Sequence, residues 1–341
     1  MQLRAEGRTY PEIASLLGEK YQQVFHEEQL RGLYRRRVKA QKISKDRVTF
    51  TNRKIVLEED MDALFDAMLA LQDATDNIDT RQVEATIELD DDKPVGLAHW
   101  ADWHLGSRGV DYHRFKHDKQ LILSTEGLYT VGQGDYGDHA LTAASPSGAR
   151  NEDLVSMTPQ EKLVLRVMEE MNSKMLAVCA GCHDYWLYLS SGLDFIAECA
   201  KRANAVNLWH GGTLTIKLAS QTYTAHIRHK AKYESSLNTS NALRRMFEIY
   251  GEADIAAAAH THSPETSQRH IMGKDRVMVR AGSYKVWDDF GQRIAVGKGR
   301  PGVPVVILYP DQHKMVEHLD LETGIQHLSA LREDSRTRRL A

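Results

Sequence analysis

The chain contains only three cysteines in 341 residues. That is too few for a disulfide framework, so a reducing, cytoplasmic setting is expected. No apolar stretch approaches the roughly 20 residues that cross a bilayer, which leaves no membrane role to expect. The opening residues Met1-Gln2-Leu3-Arg4-Ala5-Glu6 are polar and lack the apolar stretch of a secretory signal. Internal repeats and low-complexity tracts are lacking as well. Net charge is small, −3, and becomes informative only when divided along the chain. What is present is a globular composition: 42% hydrophobic and 27% charged residues, enough for a real core.

Charge is unevenly spread. Residues 1–54 are basic, with Arg31, Arg35, Arg36, Arg37, Lys39 and Lys42 close together, whereas Glu58-Glu59-Asp60 and Asp90-Asp91-Asp92 are acidic. The asymmetry predicts an anion-binding arm over 1–54, a solvated helix face being the plainer alternative. Within it, residues 7–18 read as a short helix capped by Thr9, with Pro11 early, Ile13, Leu16 and Leu17 on one face, and Gly18 as its stop. A basic helix over 27–39 follows, with Leu30, Leu33 and Tyr34 at helical spacing. The pair resembles a helix-turn-helix or Myb-like unit, which implies nucleic acid as partner, DNA before RNA. A docking or homo-oligomerisation role is the alternative. Residues 55–82 read as a helical connector, with Leu57, Met61, Leu64, Met68 and Leu71 on one side of a helix over 57–74.

From Val83 the texture changes. Apolar strands over 94–99, 127–133, 174–180, 214–225, 255–259 and 277–281 alternate with helical patterns over 159–172 and 193–203. That alternation predicts an α/β or α+β layered domain over 83–330, with strand ends free to carry a site. Loop 139–158 reads as a surface excursion, 304–309 and 315–318 as closing strands, 319–332 as peripheral, and 331–341 as a basic tail.

His and Asp fall at those strand ends. Asp102 and His104 follow 95–99; Asp135 and Asp138 follow the strand ending near Val131; Gly181-Cys182-His183-Asp184 follows 175–180. His226 and His229 end another strand, and His260-Thr261-His262 follows Ile255-Ala256-Ala257-Ala258-Ala259. In this order the motifs resemble the calcineurin-like metallophosphoesterase superfamily: Asp-x-His, Gly-Asp-x-x-Asp, Gly-Asn-His-Asp/Glu, a lone His, then Gly-His-x-His. The likeness spans about 94–285, over half the chain.

The resemblance implies a four-layer αββα sandwich and a phosphoesterase using two divalent cations. Such a pair clamps the phosphate and lowers the pKa of a water between them. Asp102, His104 and His262 would hold the first cation. Asp135 would bridge, and His229, His260 and position 182 would hold the second. His183 would stabilise the phosphate and protonate the leaving group, oriented by Asp184; Asp138 would stand behind the ligands. Mixed His and carboxylate ligands favour Mn2+, with Zn2+ or Fe as alternatives, over Mg2+ or Ca2+.

The pattern departs from the family twice. Ala259 replaces a Gly, a difference of one methyl. Cys182 replaces Asn: as a thiolate it would shift selectivity towards Zn or Fe, and as a thiol it would leave the second site weak. His226 and His229 compete as the lone ligand, with His229, at the apparent strand end, the better match. Cys179-Ala180-Gly181-Cys182-His183 also fits a haem-attachment string and a dithiol motif, but no export signal accompanies it and Cys179 lies inside an apolar strand, so no haem is expected. A structural zinc on Cys179 and Cys182 leaves Asp102 and Asp135 unexplained.

Trp103, Tyr136, Tyr185 and Trp186 stand near the site, to stack on a base or to wall the cleft. Gly282-Ser283-Tyr284-Lys285 brings Tyr284 or Lys285 to the metal face. Arg108, Arg228, Lys230 and Lys232 lie beside the site, and with Arg35, Arg36 and Arg37 they point to a polyanion. The expected function is a DNA-directed phosphodiesterase or nuclease. The alternatives are a small-molecule or nucleotide phosphoesterase, and a nucleic-acid-binding protein with a degenerate metal site.

Overall fold

The computed structural model describes residues 7–21, 26–28, 30–32, 34–35, 61–76, 79, 81–140, 153–234, 238–251, 253–287 and 299–340. They divide into two units, Met1–Ile78 and Asp79–Ala341.

In the first unit, α1 (Tyr10–Tyr21) starts where Glu12 reaches back to Thr9, accepting from its backbone N–H at 2.6 Å and from its hydroxyl at 2.7 Å. The helix runs through Gly18, where a stop was expected. Glycine weakens a helix by about 1 kcal/mol but does not end it unless the backbone turns left-handed there. Residues 27–28, 30–32 and 34–35 are helical, as the basic pattern suggested, while Arg36, Arg37 and Lys39 lie outside the described residues. The connector contains α2 (Met61–Asp76), on which Leu64, Phe65, Met68 and Leu71 are exposed.

The second unit is built from two six-stranded sheets. One has the order β12-β11-β2-β3-β4-β5, using β2 (Val95–Trp100), β3 (Leu128–Gly132), β4 (Met175–Val178), β5 (Val206–Asn207), β11 (Val305–Leu308) and β12 (Met315–His318). The other has the order β1-β6-β7-β8-β10-β9, using β1 (Glu84–Leu89), β6 (Gly212–Leu218), β7 (Gln221–Ile227), β8 (Ile255–Ala258), β9 (Glu265–Ile271) and β10 (Lys274–Arg280). The single strand expected over 214–225 is a hairpin, β6 and β7, turning at Ala219-Ser220 with Ala219 at φ 47°.

Alternation along the strands sorts side chains into layers. Leu97, Val131 and Ala177 of the first sheet meet Ile216, Tyr223, Ile255 and Val277 of the second in one apolar layer. On the outer face of the first sheet, Ala98, Leu128 and Val178 pack with residues from α3 (Tyr112–Ser124), α4 (Met157–Glu170), α5 (Cys182–Ser191), α6 (Phe195–Ala203) and α8 (Leu321–Leu340). The second sheet is covered by α7 (Thr239–Tyr250), whose Leu243, Met246 and Phe247 meet Ala256, Ala258 and Met278. The order is helix, sheet, sheet, helix. It is the αββα sandwich expected.

The segment read as peripheral is structural instead. Helix α8 buries Leu321 and Leu328, and Arg332, at 8% exposure, donates to Asp91 at 2.8 Å, to the Pro94 carbonyl at 2.9 Å and to Glu126 at 2.7 Å. Only residues beyond it keep the polar sequence of a tail, and even these continue the helix to Leu340.

Candidate metal centre

Every candidate ligand follows the carboxyl end of a strand. Asp102 and His104 follow β2, Asp135 follows β3, Cys182 follows β4, His229 follows β7 and His260 follows β8. Strands β2, β3 and β4 run parallel in one sheet, and β7 and β8 run parallel in the other. Both sheets therefore deliver their loops to one end of the sandwich, where sites on layered α/β folds form.

Two sets of donors result. Asp102, His104 and His262 form one, and Cys182, His229 and His260 the other, with the donor atoms of each set within 4.8 Å of one another. His104 Nε2 faces His262 Nε2 at 3.3 Å, and His229 Nε2 faces His260 Nδ1 at 3.2 Å. Asp135 Oδ2 lies between the sets, 3.2 Å from His229 Nε2 and 3.9 Å from His104 Nε2.

Hydrogen bonds set which nitrogens are free to ligate. His229 Nδ1 donates to the Gln133 carbonyl at 2.8 Å, and His104 Nδ1 donates to Asp138 Oδ1 at 2.9 Å. Each then turns its Nε2 to the centre; against burial, Asp135 beside His229 and Asp138 beside His104 raise both rings above the usual imidazole pKa in the metal-free protein. Asp102 Oδ2 accepts from the His260 backbone N–H at 3.0 Å, while Asp102 Oδ1 is buried without a hydrogen-bond partner among the described residues. A buried, unpartnered carboxylate oxygen beside converging imidazole lone pairs fits divalent cations.

Backbone strain collects at the same residues. Asp102 (φ 49°), His104 (46°), Asp135 (54°), His260 (70°) and His262 (57°) all occupy the left-handed region. Each such residue stores on the order of 1–3 kcal/mol, held in place by the surrounding sheets. Glycine is required close by: a Cβ at Gly181 would sit 2.0 Å from Asp135 Oδ1, and one at Gly134 would sit 2.3 Å from the Gly181 nitrogen. These two glycines let the β3 and β4 loops touch, which seats the Asp135 carboxylate.

Electrostatics follow the burial. In the metal-free protein, burial pushes the Asp102 carboxyl up to about 7, against the pull of His229 and His104. Burial acts the same way on Asp135, but His229, His183 and His104 outweigh it and hold its carboxyl well below the usual range. Asp138 is likewise held low, by its hydrogen bond from His104 and by the Lys285 charge. Lys285 Nζ donates to Asp138 Oδ1 at 2.9 Å, so of the pair Tyr284–Lys285 it is the lysine that reaches the centre. Tyr284 points into the core, donating to Asp118 at 2.7 Å and accepting from Trp100 Nε1 at 2.8 Å.

Two expectations change. Asp184 does not orient His183. Helix α5 begins at Cys182, and Asp184 in its first turn folds back to accept from the backbone N–H groups of Gly181 (2.9 Å), Asp135 (2.7 Å) and Tyr136 (3.3 Å). It fixes the loops that carry the ligands. His183 donates from Nδ1 to the Asp138 carbonyl instead, and its backbone N–H donates to Asp135 Oδ1 at 2.8 Å. Trp103 is fully buried against Phe115 and Trp100, and Tyr136 is fully buried against Trp103, so neither walls a cleft; Tyr185 and Trp186 remain partly exposed.

The histidine ambiguity has a geometric answer. His226 lies within β7, its ring stacked 4.1 Å from Tyr250 of α7 and its Nδ1 3.0 Å from Thr213 Oγ1. His229 lies beyond the strand end, among the ligands. Arg108 and Lys230 are exposed, and Arg228 sits over the Tyr250 ring at 4.8 Å. Arg35 belongs to the first unit.

Sequence reasoning missed Gln133, whose carbonyl sets the His229 tautomer, and Glu234, 4.0 Å from His260 Nε2. Neither stands in a motif. A further group, His117, Asp118 and Glu322, is already neutralised by Arg114, at 2.7 Å from Asp118 and 2.9 Å from Glu322.

No family model matches the chain, nor does any curated protein. Solved structures do. Chaetomium thermophilum Vps29 matches over 66% of this chain and 94% of its own, with 12% identity and a TM-score of 0.34. Thermotoga maritima protein TM1076 matches over 66% and 99%, with 12% identity and a TM-score of 0.32. GAP50, the anchor in the inner membrane complex of Plasmodium, matches over 70% and 95%, with 13% identity and a TM-score of 0.35. At such scores these neighbours carry no argument about function. The architecture is an αββα sandwich with two converging donor sets at one end.

Proposed function

We propose that this chain is a metal-dependent phosphoesterase that hydrolyses phosphodiester bonds, with nucleic acid, DNA first, as its substrate. The observation that carries the reading is Asp135 Oδ2, placed between two donor sets that each hold two or more imidazole or carboxylate donors. Asp102, His104 and His262 would hold one cation and Cys182, His229 and His260 the other, Mn2+ being favoured.

When bound, the two cations would neutralise phosphoryl oxygens and lower the pKa of a water molecule at the centre. The protein supplies position and proton control. Asp138 and the Gln133 carbonyl hold Nδ1 of His104 and His229, which turns each Nε2 to the centre, where a cation would take the place of its proton. Burial holds the His183 imidazole below its usual pKa, and its Nδ1 proton is committed to the Asp138 carbonyl. Nε2 is thereby kept for substrate. An arriving phosphate anion raises the His183 pKa, so that Nε2 takes a proton and can pass it to the leaving oxygen.

The preference for nucleic acid rests on the basic arm over 1–54 and on Arg228 and Lys230 flanking His229. Hydrolysis of an aryl phosphodiester with added Mn2+ tests the chemistry, with Asp135→Asn as control. Activity in the wild type that disappears in the variant is expected; an equal, metal-independent rate in both refutes the reading. Deleting residues 1–54 is expected to weaken DNA binding and flatten its salt dependence while sparing the aryl substrate. Unchanged DNA affinity would remove the arm from the account.

A further inference from the structure

The two donor sets differ in chemistry and in shape. One contains only nitrogen and oxygen donors. The other contains Cys182 Sγ, 3.7 Å from His260 Nδ1, together with His229 Nε2, 3.2 Å from the same nitrogen. Zinc binds thiolate sulfur at about 2.3 Å and imidazole nitrogen at about 2.0–2.1 Å. In a tetrahedron those bonds separate sulfur from nitrogen by about 3.6 Å and nitrogen from nitrogen by about 3.3 Å. Asp135 Oδ2, 3.2 Å from His229 Nε2, stands beside them as a fourth donor.

The nitrogen–oxygen set is wider. His104 Nε2 and His262 Nε2 are 3.3 Å apart, but His262 Nε2 stands 3.8 Å from Asp102 Oδ1 and His104 Nε2 stands 3.9 Å from Asp135 Oδ2. With metal–ligand bonds of about 2.1 Å, those spans need angles of roughly 130–140°. These spans are wider than those of the thiolate set, so the nitrogen–oxygen set leaves more room for further ligands around its ion. Resting on the dinuclear centre argued above, we propose that the centre is a mixed one, in which the Cys182 set holds a zinc-class, thiolate-ligated ion and the Asp102 set holds a harder, higher-coordinate ion such as Mn2+. The thiolate also ties occupancy of that set to the redox state of one side chain.

Cys182 can be read separately from the other thiols. Cys179 and Cys199 are buried, and burial pushes Cys179 up to about 12, which leaves partly exposed Cys182 as the reactive thiol. Three measurements on the full chain test the proposal. Metal-free protein loaded with Co2+ should show near-ultraviolet sulfur-to-cobalt absorption, lost in Cys182→Ser. Protein given one equivalent of Zn2+ per chain and then excess Mn2+ should retain one of each, the zinc at the thiolate set, whereas Cys182→Asn should lose zinc affinity on the order of a hundredfold. Loading with zinc should protect Cys182 from a thiol reagent.

The last measurement and the cobalt spectrum need only wild-type protein, so a misfolded variant does not blunt the test. Absence of the sulfur absorption, or equal thiol reactivity with and without zinc, overturns the proposal. A protein that shows the absorption and mixed metal content yet cleaves no phosphodiester supports the proposal and refutes the substrate reading instead.

Discussion

Asp138 ties two energetic roles together, and a double substitution separates them. Its carboxylate accepts from His104 Nδ1 at 2.9 Å and from Lys285 Nζ at 2.9 Å, with all three groups buried. Asp138→Ala removes the acceptor that holds the His104 tautomer, and loss of such a partner weakens metal binding about 10–100-fold. It also deprives a buried ammonium of its carboxylate, which destabilises a fold by about 3–5 kcal/mol. For a unit of this size, that lowers Tm by about 10 °C. Asp138→Ala combined with Lys285→Met removes both charges of the pair, so stability should recover most of the loss, short of the roughly 1–3 kcal/mol that the unmet His104 Nδ1–H costs. Metal affinity should stay low, because His104 is still unanchored. Urea unfolding of chelated protein reads the first quantity and calorimetric Mn2+ titration the second. Recovery of metal affinity together with stability would refute the claim that Asp138 orients a ligand.

Other outcomes follow from the same geometry. Gly181→Ala forces a methyl into the Asp135 carboxylate, so it should abolish binding of at least one cation while α5 persists by circular dichroism; metal analysis decides. Arg332→Ala removes three partners of a buried guanidinium and should cost about 3 kcal/mol, with Arg332→Lys recovering only part, as read by urea unfolding. Burial lowers the His99 imidazole to about 4, against 6.5 when unfolded. The folded state therefore resists a proton that the unfolded chain takes up, so stability is full above pH 6.5 and falls as pH drops towards 4. The span is on the order of 3 kcal/mol. In chelated protein, His99→Gln should flatten the difference in unfolding free energy between pH 7.5 and pH 5; an undiminished slope excludes His99 as the cause.

Much of the site was legible because its residues are anchored to strand ends, and strand ends are visible as breaks in apolar alternation. Asp102, Asp135, His229 and His260 each follow such a break, and the sheets' parallel runs bring the breaks together. The αββα layering was legible for the same reason, through runs such as Ile255–Ala258 that are apolar on both faces. What sequence could not convey was direction within a turn. Cys182, His183 and Asp184 are consecutive, but helix α5 starts there, which sends Asp184 back to its own N-terminus and leaves His183 to a carbonyl. The hairpin at Ala219-Ser220 was hidden because Leu214–Ala225 stays apolar enough in alternation to pass for one strand. Arg332 was hidden because a buried arginine and a tail arginine look alike until their partners are known. Trp103 and Tyr136 sit within motifs yet turn into the core, a choice fixed by packing of Trp103 on Phe115 and of Tyr136 on Trp103.

Metal stoichiometry against activity tests the central claim most directly. Full-length protein stripped by chelation and reloaded should bind two divalent cations per chain and hydrolyse an aryl phosphodiester, and Asp135→Asn should bind fewer and hydrolyse none. Two tightly held cations in the variant, or hydrolysis that survives it, would contradict the account.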